Sequence, residues 1–222
     1  MEATGTLWDR KKARTRDDFV RAALVLFRGQ GFERTTVDEI SAAAGSSPRT
    51  FFRYFGSKED ILFADLADHL AFLRERMAEA VPRHGAWDGV IEAMIALNTR
   101  LLSAGADLAV ERFEAWRREP VLRQRFAAHC LEWEDAIANA VARSRGTRPT
   151  DDPYARTVGI VAVAGFRSAM ETTRRKGFVE DLRAVLDTIG DGLRHEPTAP
   201  RPRPTGPEPR VRAAARQAGS RT

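Results

Sequence analysis

Behind Gly45 the chain sets out Ser47, Pro48, Arg49, Thr50, Phe52, Arg53, Tyr54 and Lys58, hydrogen-bond donors threaded with aromatic rings. An arginine fork can donate two parallel hydrogen bonds to a guanine edge. A threonine can touch a thymine methyl or donate to a phosphate, and a lysine can neutralise one phosphate. This set suits recognition of duplex DNA rather than the making of bonds. No glycine-rich phosphate loop, nucleophile elbow, HExxH or paired-carboxylate pattern stands anywhere in the chain, so no catalytic residue and no enzyme activity are expected.

Such side chains need a short rigid rod. Ser47 is placed to cap a helix whose first position, Pro48, lacks the N–H that would be unpaired there anyway. On that helix Phe51 and Phe55 share the face that anchors it, while Ser47, Arg49, Thr50 and Arg53 occupy the other, and Gly56 ends it. Upstream, Thr36 and Glu39 form a T-x-x-E capping box, Val37, Ile40 and Ala44 face inward, and Gly45-Ser46-Ser47 makes a tight turn. Two helices so joined have helix-turn-helix geometry, in which the second enters the major groove with its N-terminal residues at base edges. A first helix is expected from about Thr15 to Arg28, with Phe19, Ala22, Ala23, Leu26 and Phe27 as its apolar stripe and Gly29 and Gly31 as its stop. Residues 1–14, with Arg10, Lys11, Lys12 and Arg14, read as a flexible basic arm, suited equally to a minor groove and to solvent.

The run from Gly31 to Asp60 closely resembles the DNA-binding domain of the TetR family, in order and including both caps and both turn glycines. The resemblance implies a phosphate contact at Thr36, the start of the recognition helix at Ser47, Arg49 and Thr50, a backbone-contacting aromatic at Tyr54 and a phosphate-binding lysine at Lys58. Phe52 stands where tyrosine is commoner, so a hydroxyl contact is lost there, and Arg53 is a candidate to replace it.

Beyond residue 60 the spacing predicts helices over about 57–81, 86–104, 107–117, 120–143, 152–176 and 178–194, and no sheet. The fold class is therefore all-α, with about nine helices: a helix-turn-helix domain over 15–60 and a ligand-binding and dimerisation domain over 61–195. Residues 196–222 hold six of the eleven prolines and almost no large apolar side chain, and read as a disordered tail. Phe113, Trp116, Phe126, Trp133 and Phe166 are candidates to line a ligand pocket, although aromatics on long helices more often simply fill a core. The stretch from Asp65 and His69 through Trp133 to Phe166 and Arg167 resembles the mycofactocin-regulator subgroup, which implies an acyl-CoA-like or otherwise hydrophobic effector.

The net charge of +5 comes from the ends: residues 1–60 carry +2, 61–195 carry −1 and 196–222 carry +4. Cys130 is the only cysteine, His129 beside it faces another side of a helix, and the other histidines are scattered, so neither a metal nor a cofactor is expected. The longest apolar run, 158–166, falls well short of the roughly 20 residues of a membrane span, and a cytoplasmic protein is expected. The partners implied are double-stranded DNA at a near-palindromic operator, a small-molecule effector, and a second copy of the chain. The second copy is expected to pack through helices 152–176 and 178–194, using small residues (Ala162, Ala164, Gly165, Ser168, Ala169) and the Leu182-Val185-Leu186-Ile189 stripe. The alternative is a constitutive DNA-binding dimer whose C-terminal domain only dimerises.

Overall fold

A computed structural model describes residues 7–172 and 177–193, with the side chains of 7–10, 104–111 and 192–193 outside the description. The described residues form helices and no strand: α1 Leu7–Gln30, α2 Val37–Ala43, α3 Pro48–Tyr54, a 3₁₀ turn Glu59–Phe63, α4 Leu66–His84, α5 Ala86–Arg118, α6 Pro120–Ser144, α7 Pro153–Thr172 and α8 Phe178–Leu193. The expected basic arm is helical from Leu7 onward, because Leu, Arg, Lys and Ala are all good helix formers and simply extend α1. The expected tail at 196–222 lies outside the described residues.

The head is α1 to α3 around a knot of rings. Phe19 of α1 meets Phe51 of α3 edge-on, with ring centroids 5.5 Å apart, and Phe55 at 6.1 Å. Leu24, Ile40 and Phe51 are fully buried between the three helices. In the α2–α3 turn Gly45 takes a φ of +62°, a left-handed value that costs a glycine little.

In the body α5 is the central element, packed against α1, α4, α6, α7 and α8. It runs unbroken where two helices, 86–104 and 107–117, were expected. Gly105 weakens a helix by only about 1 kcal/mol relative to alanine, and an element packed on so many neighbours tolerates that. The fourth helix shows the opposite correction. Rather than running from Ser57 to Val81, the chain makes the short 3₁₀ turn, breaks at Ala64 and Asp65, and starts α4 at Leu66.

Part of the stripe expected to face a second copy is used inside the chain, while Val185 and Ile189 are half-buried. Leu182 and Leu186 are fully buried, and Gly165 of α7 lies so close to α8 that an added Cβ would be 2.9 Å from Leu186 Cδ2 and 3.3 Å from Ile189 Cδ1. Ala162, Gly165 and Ala169 are buried as well, so these small residues bring α7 and α8 of one chain together. Ile160, Ala164 and Ser168 remain exposed on the outer face of α7.

The α6–α7 turn is closed by a buried ion pair, Arg145 Nε to Asp152 Oδ2 at 2.8 Å. Burial pushes the Asp152 carboxyl up, but hydrogen bonds from Arg145, Thr147 and the Ala155 amide outweigh it and hold the group below the ordinary carboxylate range.

Candidate functional site

The helix-turn-helix is built by its caps. Thr36 N donates to Glu39 Oε2 at 2.8 Å and Glu39 N donates to Thr36 Oγ1 at 3.2 Å, so the capping box is closed in both directions. The amide of Thr36 first, and then its hydroxyl, hold the Glu39 carboxyl below its ordinary value. Thr50 N donates to Ser47 Oγ at 3.2 Å, which caps α3, and Pro48 follows at its first position. With Phe51 and Phe55 turned into the head, Ser47, Arg49, Phe52 and Arg53 are exposed and Pro48 and Thr50 half-buried on the far side. Phe52 is 56% exposed, an apolar ring left out on the same surface as the arginines. Tyr54 is half-buried beside Phe19, with the Arg53 guanidinium 5.2 Å from its ring centre. Thr36 is exposed at the head of α2.

A groove between α1 and α3 is lined by Lys11, Lys12, Thr15, Arg53 and Tyr54. The lysines of the supposed arm thus stand on a helix that continues the basic surface of α3.

Lys58 does something its motif position does not reveal. Its Nζ donates to the carbonyls of Phe32 at 2.7 Å and Thr35 at 3.0 Å, and sits 4.2 Å from the centre of the Phe32 ring. It ties the loop between α1 and α2 to the chain just before the 3₁₀ turn.

Beneath the head lies a cavity of about 270 Å³. Phe113, Trp116, Phe126, Trp133 and Phe166 are brought together on its wall, with Val20, Leu66 and Leu101 beside them. Trp116 and Phe126 stack with centroids 4.5 Å apart, and Trp133 and Phe166 lie 5.7 Å apart. The polar lining was not foreseen: Asp17, Arg21, Asp65, His69 and Arg112. Burial, and next the charge of Arg112, push His69 down from 6.5 to about 4, so it is neutral near pH 7. Burial, and next the Asp65 charge, raise Asp17. Cys130 is a buried thiol that burial pushes up to about 11, and so a poor nucleophile.

Head and body are joined by charge. Arg16 of α1 donates to Asp65 Oδ1 at 2.7 Å and also to the Ala64 carbonyl, and Arg112 of α5 donates to Asp65 Oδ2 at 3.1 Å. Arg125 of α6 pairs with Asp60 of the 3₁₀ turn. These partners stand 47 to 65 residues apart in sequence, so no local pattern could have paired them.

Comparison with known proteins agrees with this architecture. Residues 19–64 match the family described as bacterial regulatory proteins, tetR family, and residues 84–196 match the MftR C-terminal domain. The chain is 31% identical over 202 residues to the HTH-type transcriptional regulator TcmR of Streptomyces glaucescens, covering 86% of this chain and 87% of that one. It is also 31% identical over 187 residues to MftR of Mycobacterium tuberculosis, a regulator named for mycofactocin biosynthesis, covering 83% and 93%. Among solved structures, SmeT in complex with triclosan shares the fold with a TM-score of 0.58 at 21% identity, covering 86% of this chain and 99% of that one. A capped three-helix head of this kind on a helical body, matched over most of the chain, places the protein in the TetR family of transcriptional regulators, with a C-terminal domain of the MftR type.

Proposed function

We propose that this regulator is a homodimeric repressor that sets two copies of α3 in the major groove of a near-palindromic operator and is released when a small hydrophobic molecule fills the cavity beneath the head. The observation that carries the reading is the outward face of a helix capped at its start and anchored by Phe51 and Phe55, with Ser47, Arg49 and Arg53 exposed and Thr50 half-buried beside them. A twofold axis through the outer faces of α7 and α8, where Ile160, Ala164 and Ser168 are exposed, would set the two recognition helices one DNA turn apart, about 34–36 Å. The exposed Phe52 offers apolar contact to a thymine methyl in place of a hydroxyl donor. The site of action is the cytoplasm, where such an operator lies, and the role is regulatory rather than enzymatic.

The cavity favours a sensor over a constitutive dimer, whose body would have no use for a space of about 270 Å³. A ligand that fits only the form with splayed heads draws the population away from DNA by its difference in affinity. A swing from 1:99 to 99:1 takes about 5.5 kcal/mol of that difference. TcmR and MftR support the regulator reading, and the aromatic wall supports a hydrophobic effector, an acyl-CoA-like one included if its chain enters and its polar head stays outside.

The test is sedimentation of the purified chain together with titration of labelled duplex DNA over a range of salt. A dimer whose affinity falls steeply with salt is expected. A monomer, or indifference to duplex DNA at low ionic strength, would overturn the reading.

A further inference from the structure

The cavity wall is not hydrocarbon alone. Arg112 and Trp116 stand four residues apart on α5, hence on one face of the helix, and both line the cavity. Each carries a donor with no partner among the described residues and almost no accessible surface, sealed just behind the cavity wall: Nε of Arg112 and Nε1 of Trp116. Trp116 is 3% exposed, stacked between Phe126 at 4.5 Å and Phe63 at 5.6 Å. That stacking accounts for a flat ring at this position, but a phenylalanine would stack as well and would leave no N–H stranded. The guanidinium of Arg112 is engaged at Nη2 by Asp65, which leaves Nε to be accounted for. Buried donors are nearly always paired, so two orphans carried by residues of one cavity wall point to an acceptor that arrives from outside the chain as the wall yields to a ligand.

We propose that Arg112 Nε and Trp116 Nε1 form the polar end of the binding site, and that its ligand is a compact apolar molecule bearing one oxygen acceptor, a carbonyl or a carboxylate. The acceptor receives one or both of these donors once the wall has shifted to present them, and the body of the ligand lies against Phe126, Trp133 and Phe166. The charged side chains of the wall cancel, Arg21 and Arg112 against Asp17 and Asp65, so the site has no surplus charge for a polyanion. A neutral or singly charged acceptor is what it matches. This inference rests on the reading of the cavity as the effector site, and it adds which end of the ligand is recognised and by what. It also gives the ligand a handle, because the guanidinium that receives it is the one that holds Asp65, the residue gripped by Arg16 of the head.

The test measures affinities of the DNA-free protein for 2-acetonaphthone, 2-naphthoate and 2-ethylnaphthalene, three probes with one apolar body and different ends, by quenching of tryptophan fluorescence and by calorimetry. At least one oxygen-bearing probe is expected to bind roughly tenfold or more tighter than the hydrocarbon, the scale of a recovered hydrogen bond. Trp116→Phe, which keeps a ring in place, is expected to lose most of that preference, and Arg112→Met to lose it too while holding its fold in a circular dichroism melt. Equal affinities for the three probes, no binding of any, or an unchanged preference in Trp116→Phe would each overturn the proposal. Operator affinity measured on the same preparations separates the two readings. If the preference holds but bound probe leaves operator affinity unaltered, the acceptor site stands and the effector reading falls. If DNA binding persists with no preference, the regulator stands and the acceptor site falls.

Discussion

Arg16 of α1 and Arg112 of α5 close on the same carboxylate: Asp65 accepts from the first at 2.7 Å and from the second at 3.1 Å. Asp65 lies at the break between the 3₁₀ turn and α4, so the DNA-binding head, that break and the cavity wall meet at one side chain. Arg112 keeps only 11% of its side chain exposed, so its charge leans on this partner. Asp65→Asn removes the charge while keeping the shape. It is expected to lower stability by about 1–3 kcal/mol, the range for a partly buried charged hydrogen bond broken on one side. It is also expected to flatten the response of operator binding to ligand. Thermal melts and ligand-release curves check the two effects, and an unchanged melting midpoint would contradict the first.

Lys58 is expected to carry two separable duties. Lys58→Met removes the donor to the Phe32 and Thr35 carbonyls, and a loss of about 1–2 kcal/mol should appear in denaturant titration without any DNA. If the third proton also meets a phosphate, the slope of log affinity against log salt becomes shallower by about one. A lowered stability with an unaltered slope would make Lys58 a loop staple alone.

Ser47 caps the recognition helix and also stands on its exposed face. Ser47→Ala is expected to cost about 1 kcal/mol of stability, the usual loss for a removed N-cap. Ser47→Asp keeps the cap and adds a negative charge toward the phosphates, so stability should survive while DNA affinity falls. Paired melts and anisotropy titrations check this, and an aspartate variant that binds DNA as the wild type does would place Ser47 away from the interface.

His69 sets a pH dependence. It is held neutral in the folded chain, with its value lowered from 6.5 to about 4 by burial and then by Arg112, against the opposing pull of Asp65 and Asp68. The unfolded chain therefore takes up this proton first as pH falls. The associated stability is fully present above pH 6.5 and is lost progressively toward pH 4. Its size is at most about 3 kcal/mol, less whatever partial exposure screens. His69→Leu is expected to flatten the stability curve across that window, and an unchanged acid limb would show that the ring is not buried neutral.

Much of the head was legible because its signals are local. The box of Thr36 and Glu39, the Ser47 cap, Pro48 and Gly45 all act within a few residues, and a helix end leaves little choice about where they go. The five aromatics of the cavity wall could be singled out as ring-bearing positions, but their meeting on one wall depends on how α5, α6 and α7 pack. What local pattern could not supply was long-range charge. Nothing near Asp65 in sequence indicates that Arg16 and Arg112 will both reach it, or that the fourth helix will break there. The extension of α1 through Lys11 and Lys12 was misread for a related reason: polar, basic residues look like an arm unless the helix they continue is already in view. The stripe on α8 was read correctly as apolar, but its two leucines pack inside the chain, because periodicity shows which face is buried and not against what.

The most direct test of the central claim, that α3 reads DNA as one of a twofold pair, is selection of bound duplexes from a random pool by the full chain and by Arg49→Ala. The expected result for the wild type is an inverted repeat with half-site centres about one turn, roughly 10 base pairs, or a multiple of it apart. For Arg49→Ala the same repeat should return with relaxed preference at one position in each half-site, a loss of about 1–3 kcal/mol of discrimination there. An asymmetric site, no enrichment, or identical sites from both proteins would contradict it.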